Sequence, residues 1–338
     1  MLSQEEMQVF RADLLRWYSA HKRDLPWRQA RDPYSVWISE TMLQQTRVAA
    51  VIPFYERFLK QFPDLHSLAN ANESTLLASW AGLGYYHRAR NLQKAARLIE
   101  DAKKFPASYD EIRKLPGVGN YTAAAIASIS FDLPYAVLDG NVFRVLSRVL
   151  ADGTNIASVA GRKHFAKQAE ILLDPRQPGT YNQAVMELGA TVCLPSNPQC
   201  LVCPVTHLCK ARTAGEQDRL PVKVINKKSA DEKRTVFWIV RDGRVLLWQR
   251  TADSRLMPGF WELPERAHLP NVEPVREIGS FRHGITFHKY QFSVVEAEIP
   301  NDIGPCHWTE IANLAGLPLS TVVRKARSVV DAVQQTHR

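Results

Sequence analysis

An all-α region followed by a smaller α+β region is the architecture this chain predicts, and three observations carry it. Apolar residues recur at helical spacing through residues 1–212, as at Val48, Val51, Ile52, Tyr55, Phe58 and Leu59. A polar, basic stretch poor in large apolar residues, RTAGEQDRLPVKVINKKSADEKR, then runs from Arg212 to Arg234. Beyond it the texture changes to β-branched and apolar runs separated by turn residues. The expected organisation is therefore a helical domain over 1–212, a linker over 213–234 and an α+β domain over 235–338.

Composition agrees. A length of 338 residues suits two domains, each long enough to bury a core. The apolar share is 45% and the charged share 23%, as in globular proteins, and no apolar run is long enough to span a bilayer. The N-terminal MLSQEEMQVFRADLLRWY is acidic and amphipathic, without the basic and apolar segments of a signal peptide. A reducing cytoplasmic setting with no membrane partner is expected, where disulfides are rare. The 43 Lys and Arg against 34 Asp and Glu give a net charge of +9, compatible with a phosphate-rich partner but not diagnostic of one.

Within the helical region, Pro63, Pro106, Pro116–Gly117 and Pro134 mark breaks. YTAAAIASIS reads as a buried Ala-rich helix. YSVWISETMLQQTRV, Tyr34 to Val48, reads as another helix, on which Glu40 shares a face with Val36, Trp37 and Leu43. A carboxyl among apolar groups loses hydration and its pKa rises, so it can stay protonated near neutrality and donate a proton. A surface glutamate on an irregular helix is the simpler alternative. In the second region, TVFWIV and VLLWQR flank Asp242–Gly243 as a hairpin, YQFSVVEAEI is a strand, and STVVRKARSVVDAVQQ is an amphipathic helix.

Three clusters carry chemistry. Four of the five cysteines fall in CLPSNPQCLVCPVTHLC, as Cys193, Cys200, Cys203 and Cys209. Four neighbouring thiolates repel unless a cation holds them. A 4Fe–4S cluster takes one per iron, and zinc takes four, usually as two close pairs; only one close pair exists here. LPGVGNYTAAAIA contains a tight turn at Gly117, Val118 and Gly119 before a helix, whose open N–H groups suit a phosphate. An ordinary helix corner has the same pattern. Downstream, PYAVLDGNVFRVLSRVL places Asp139 before an amphipathic helix, either as an N-cap, as a reactive carboxylate, or as both.

Taken in order, SE-x-MLQQT, GLGYY, LPGVG-x-Y, VLDGNV and the cysteine loop resemble the MutY adenine DNA glycosylases, within the helix-hairpin-helix glycosylases that include endonuclease III. The resemblance covers nearly the whole chain. It implies an all-α helix-hairpin-helix glycosylase domain with a structural 4Fe–4S loop at 193–209, then a Nudix-like (MutT-like) α+β domain. It implies removal of adenine opposite 8-oxoguanine or G in double-stranded DNA by a monomer, with base flipping. Glu40 would protonate the adenine ring at N7, and Asp139 would stabilise the oxocarbenium-like sugar or attack it transiently. Tyr121 and Asn141 would hold Asp139 and the sugar. Arg23, Leu25, Trp27, Arg28 and Glu187 would form the adenine pocket. Gln44 and Tyr85 would fill the space left by the flipped base, with Arg88 beside them suiting phosphates. Cys193, Cys200, Cys203 and Cys209 would bind the cluster.

Position 121 separates two chemistries. Bifunctional endonuclease III-like glycosylase/lyases carry a lysine there that forms a Schiff base. Tyr121 cannot, so base removal without strand cleavage is expected. A silent mismatch-binding protein is a further alternative, opposed by the presence of both Glu40 and Asp139. The chain also departs from the family pattern. The MutT-like domain has VREIG where a complete Nudix box would follow LMPGFWELPE, so diphosphate hydrolysis is not expected. Phe143 stands where some relatives have lysine. The Phe-Ser-His-like turn that reads 8-oxoguanine is Ile285-Thr286-Phe287 here, followed by His288. Thr286 can replace the serine hydroxyl, but Phe287 cannot replace imidazole hydrogen bonds.

Overall fold

The computed structural model describes residues 2–29, 31–44, 46–224, 231–251, 253–254, 257–285, 288–299 and 303–336, with backbone alone at 231, 285, 288, 335 and 336. The chain divides into two compact units: Met1–Leu83 with Arg88–Ile225, and Gly84–His87 with Asn226–Arg338. The first is helical and the second α+β, the fold class expected from sequence.

The helical unit runs α1 (Gln4–His21), a 3-10 turn (Pro26–Arg28), α2 (Pro33–Leu43), α3 (Val48–Gln61), α4 (Leu65–Ala69), α5 (Glu73–Ser79) and α6 (His87–Asp101). There follow α7 (Tyr109–Arg113), α8 (Asn120–Phe131), α9 (Gly140–Leu150), α10 (Val159–Leu172), α11 (Pro178–Thr191), two 3-10 turns in the cysteine loop, and α12 (Lys210–Ala214). A capping box starts α1: the Glu6 carboxylate accepts from the Ser3 N–H at 2.6 Å and Ser3 Oγ from the Glu6 N–H at 3.1 Å. Asp32 caps α2, and Pro33 occupies its first turn. The Ala-rich α8 is buried from Thr122 to Ile129. Its small side chains let α2, α7 and α11 pack closely on it.

Helix α11 packs on α1, α8 and α9. Two of its glycines make this possible. A Cβ at Gly179 would lie 2.5 Å from the Ser128 carbonyl oxygen, and one at Gly189 would lie 2.5 Å from Asn141 Cβ. The helix read over Tyr34–Val48 is shorter than expected, since α2 stops at Leu43. The buried Arg88 guanidinium explains the stop. It donates to the carbonyls of Thr41 (2.7 Å) and Gln44 (2.7 Å), acceptors that a continuing helix would use itself.

In the second unit, β1 (Asp231–Trp238), β5 (Glu273–Ile285) and β6 (His288–Glu298) form one sheet, with β6 central, β1 parallel to it and β5 antiparallel. In the other, β3 (Arg244–Gln249) pairs antiparallel with β2 (Val240–Arg241), β4 (Trp261–Glu262) and β7 (Cys306–Glu310). The Asp242–Gly243 turn has φ of +51° and +71°, the primed-turn geometry that suits a two-residue hairpin. TVFWIV, however, divides between sheets: Thr235–Trp238 belong to β1, and only Val240 enters the hairpin. Strand β1 also begins at Asp231, within the stretch expected to be linker. Backbone pairing to β6 accounts for this, since it needs no apolar side chain.

The helix α13 (Thr321–Thr336) packs against β5. Val322, Val323, Ala326 and Val330 join Val236, Val245, Leu247 and Val294 in one core, while Phe237, Leu246, Ala297 and Cys306 form another. Successive strand residues thus face opposite cores. VREIG lies inside β5.

Candidate active site

A cleft of about 760 Å³ opens in the helical unit between α2, the 3-10 turn, the α7–α8 turn, the start of α9, and α11. Glu40 sits in it, 5% exposed, on a helix buried over Val36–Met42. The Tyr121 hydroxyl, from the first turn of α8, donates to Glu40 Oε2 at 2.7 Å and lies 3.2 Å from Met186 Sδ. Burial drives the Glu40 carboxyl upward. The Tyr121 hydrogen bond pulls it back, the Asp139 charge raises it, and Arg28 opposes the rise, leaving it at about 7. Tyr121 was expected to hold Asp139. Its hydroxyl instead serves Glu40, because its place on α8 faces α2 across their shared packing surface.

Asp139 is the N-cap of α9. Its Oδ1 accepts from the Val142 N–H at 2.7 Å, and its Oδ2 from Asn141 Nδ2 at 2.9 Å. Burial raises this carboxyl, while those hydrogen bonds pull the other way. Arg144 extends the chain of contacts. It donates to Asn141 Oδ1 (2.8 Å), the Gly189 carbonyl (2.8 Å) and the Cys193 carbonyl (2.7 Å). Sequence reasoning missed Arg144. Its spacing of three from Asn141 on a helix was the available signal.

At the other side of the cleft stands Glu187, on α11. Arg23 Nε donates to its Oε1 at 2.7 Å, and Arg28 donates to its Oε2 at 2.7 Å. Burial alone would raise this carboxyl, but the two guanidinium groups hold it down at about 2. Leu25 and Trp27 line the same cleft, with Trp27 edge-on to Tyr55 at 5.4 Å between centroids. Gln183 and Met186 line it too and were not anticipated, although Gln183 stands one helical turn before Glu187.

The α7–α8 turn places Gly117 and Gly119 at the cleft and buries Val118. Gly117 has φ of +77°, and a Cβ there would come 2.7 Å from Asn91 Cβ, so glycine is required twice over. Gly119 caps α8 with no side-chain bond, so no cap side chain takes up the first-turn N–H groups. Gln44 lines the cleft and bonds Thr122 Oγ1 at 3.3 Å. Tyr85 is 53% exposed with φ of +49°, in the Gly84–His87 segment of the second unit. Arg88, expected to suit phosphates, is instead 6% exposed and held by backbone carbonyls, with its guanidinium 5.4 Å from the Trp80 ring centroid.

Cys193, Cys200, Cys203 and Cys209 line a second cleft and form no disulfides. The Arg148 guanidinium lies 3.3 Å from Cys193 Sγ, and burial pushes the Cys203 thiol up to about 12. Among the described residues, no three or more His, Cys, Asp or Glu side chains are placed to hold a metal ion. Thr286 and Phe287 lie outside the described residues, and only the backbone of His288 is described, at the start of β6. Phe143 packs edge-on against Phe165 at 5.7 Å. No described helix is long and apolar enough to cross a membrane.

Residues 38–170 match the HhH-GPD superfamily base excision DNA repair proteins. A thermostable thymine-DNA glycosylase aligns with TM-score 0.57 and 28% identity, over 62% of this chain and 98% of that one. An endonuclease III–DNA complex aligns with TM-score 0.52 and 24% identity, over 64% and 99%, a likeness of fold. The class that fold and cleft define is thus the helix-hairpin-helix base excision repair proteins. Within it, the adenine DNA glycosylase of Buchnera aphidicola from Schizaphis graminum is 34% identical over 81% of this chain and 83% of its own length. The chain belongs to the adenine DNA glycosylase family. The mouse and human adenine DNA glycosylases are 48% and 47% identical over 61% and 64% of this chain, which spans only 42% and 41% of their lengths.

Proposed function

We propose that the protein is a monofunctional adenine DNA glycosylase acting on adenine opposite 8-oxoguanine or guanine in duplex DNA. The observation that carries this reading is a buried Glu40, held at about 7, in one cleft with the helix-capping carboxylate of Asp139. A flipped adenine enters the cleft. Glu40 gives its proton to N7, the C1′–N9 bond breaks, and its electron pair leaves with the base. Asp139, fixed by Val142 and Asn141, faces the cationic sugar. Water supplies hydroxide to C1′ and releases a proton. An abasic site on an intact backbone remains, since Tyr121 offers no amine for Schiff-base chemistry.

The α7–α8 turn would take a DNA phosphate on the N–H groups that no cap side chain occupies. Glu187 is committed to Arg23 and Arg28, so these three would frame the base through the guanidinium edges. Although not placed to share a single metal ion, four thiols outside any disulfide round one cleft, with no carboxylate among its lining residues, suit a 4Fe–4S cluster, which takes one thiolate on each iron. Cys193, Cys200, Cys203 and Cys209 would hold it, and the bound cluster would order the 193–209 loop. The second unit would be the MutT-like domain that reads the opposite base, its sheet beginning at Asp231 rather than at the 235 expected from sequence. A cytoplasmic monomer, at the nucleoid if bacterial, fits this role.

The test is incubation of excess protein with duplexes holding A opposite 8-oxoguanine, G, C or T, resolved with and without alkali. Rapid alkali-dependent cleavage at A opposite 8-oxoguanine is expected. Cleavage without alkali would favour the glycosylase/lyase, and tight binding without cleavage a silent mismatch binder.

A further inference from the structure

We propose that Tyr18 is a positioning residue of the cleft: its ring face holds Arg28, which shares the cleft with Glu40, and its hydroxyl holds Gln183. The description of this cleft as an adenine pocket rests on the function proposed above; the geometry does not.

Tyr18 ends the inner stripe of α1, after Met7, Phe10 and Leu14, and from that position would be an ordinary core aromatic. Its surroundings differ from a core. The Arg28 guanidinium carbon lies 5.4 Å from the ring centroid and Lys22 Nζ lies 5.9 Å away. Two cations against one buried ring use its negative π face rather than its apolar area. The hydroxyl reaches α11, 3.3 Å from Gln183 Oε1. Burial keeps the phenol neutral, so it donates that bond.

Both held groups line the cleft. Arg28 is fixed on three sides: the Tyr18 ring, the Glu187 carboxylate at 2.7 Å and the Arg23 carbonyl at 3.0 Å. The groups acting on Glu40 are Tyr121 from α8, Asp139 from the start of α9, and Arg28. Arg28 is the cation among them and lowers the Glu40 pKa. Removing its π support leaves Arg28 to the Glu187 and Arg23 contacts alone, and the cation so loosened lets the Glu40 pKa rise slightly, while removing only the Tyr18 hydroxyl leaves it in place and frees Gln183.

The experiment is a carboxyl ¹³C NMR titration of the full chain labelled at glutamate, with Glu40 assigned by Glu40→Gln. Tyr18→Leu should raise the Glu40 midpoint by about 0.3 pH unit, less than loss of the Tyr121 hydrogen bond would, and Tyr18→Phe should leave it within about 0.1 unit. Pentafluorophenylalanine at position 18 keeps the shape of Phe but reverses the face charge. It should reproduce the Leu shift, and it decides the matter if Tyr18→Leu does not fold. A fluorinated variant whose midpoint equals that of Tyr18→Phe overturns the ring role. Single-turnover excision should slow about threefold in Tyr18→Phe and no further when Gln183→Leu is combined with it. Additive losses overturn the hydroxyl role. If wild-type protein excises no adenine while the midpoint still moves, the proposed function fails and the positioning role stands.

Discussion

Glu40 and Glu187 stand on the two sides of one cleft, each almost wholly buried, yet their carboxyls titrate at about 7 and about 2. Burial pushes both upward. What differs is the partner. Glu187 accepts from two guanidinium groups, whereas Glu40 accepts from one neutral hydroxyl. The first is a fixed anion that organises its neighbours. The second keeps a proton it can give away. Desolvation makes a carboxyl responsive, and neighbouring charge decides the response.

The largest effect that would sharpen this contrast is on excision. Glu40→Gln keeps the shape and the Tyr121 contact but has no acidic proton, so adenine excision should fall about 1,000-fold with duplex binding retained. Single-turnover rates beside a gel-shift titration check this, and near-normal excision would remove Glu40 as the acid. The pH dependence of stability comes next. A carboxyl at about 7 folded and 4.5 unfolded binds more protons when folded, so stability falls as pH rises across that window. At ~1.4 kcal/mol per unit, wild type should lose about 3 kcal/mol relative to Glu40→Gln by pH 8, measured by urea unfolding. Parallel curves would mean Glu40 titrates normally.

Glu187 has the opposite sign. Its contribution is present above about 4.5 and lost as pH falls through about 2. Glu187→Gln should cost about 2 kcal/mol at pH 7, less than a fully buried pair because Arg23 is 38% exposed. An unchanged urea midpoint would break the comparison at that end. The smallest effect belongs to Tyr121→Phe. Loss of its hydrogen bond raises Glu40 further, moving the alkaline limb of excision up by about half a pH unit. A limb moving down would contradict the hydrogen-bond assignment.

The two glutamates were not equally legible in the sequence. Glu40 announced itself through periodicity, a charge on an apolar helical face. Asp139 was readable locally as a helix N-cap, and its role in the chemistry came from resemblance. Glu187 was reached only through resemblance, because its arginine partners lie 164 and 159 residues away and no local pattern encodes such a pairing. Arg88 was misread for the same reason. A basic residue beside an exposed tyrosine looks like a phosphate contact until the carbonyls of α2 are found around it. In the α+β unit, the hairpin was readable from Asp242–Gly243. Strand β5 was not, since Pro274, Gly279 and Gly284 obscure its alternation and its register shifts occur near Pro274 and Gly279.

Gly189 carries a consequence for how this cleft can vary. Helices α9 and α11 meet where a Cβ would stand 2.5 Å from Asn141, and the same residue's carbonyl anchors Arg144. The gap between the Asp139 turn and the Glu187 helix is therefore gauged by one missing methyl group. A change there would act like a shim, pushing on Asn141 and so parting the Asp139 carboxylate from Glu187.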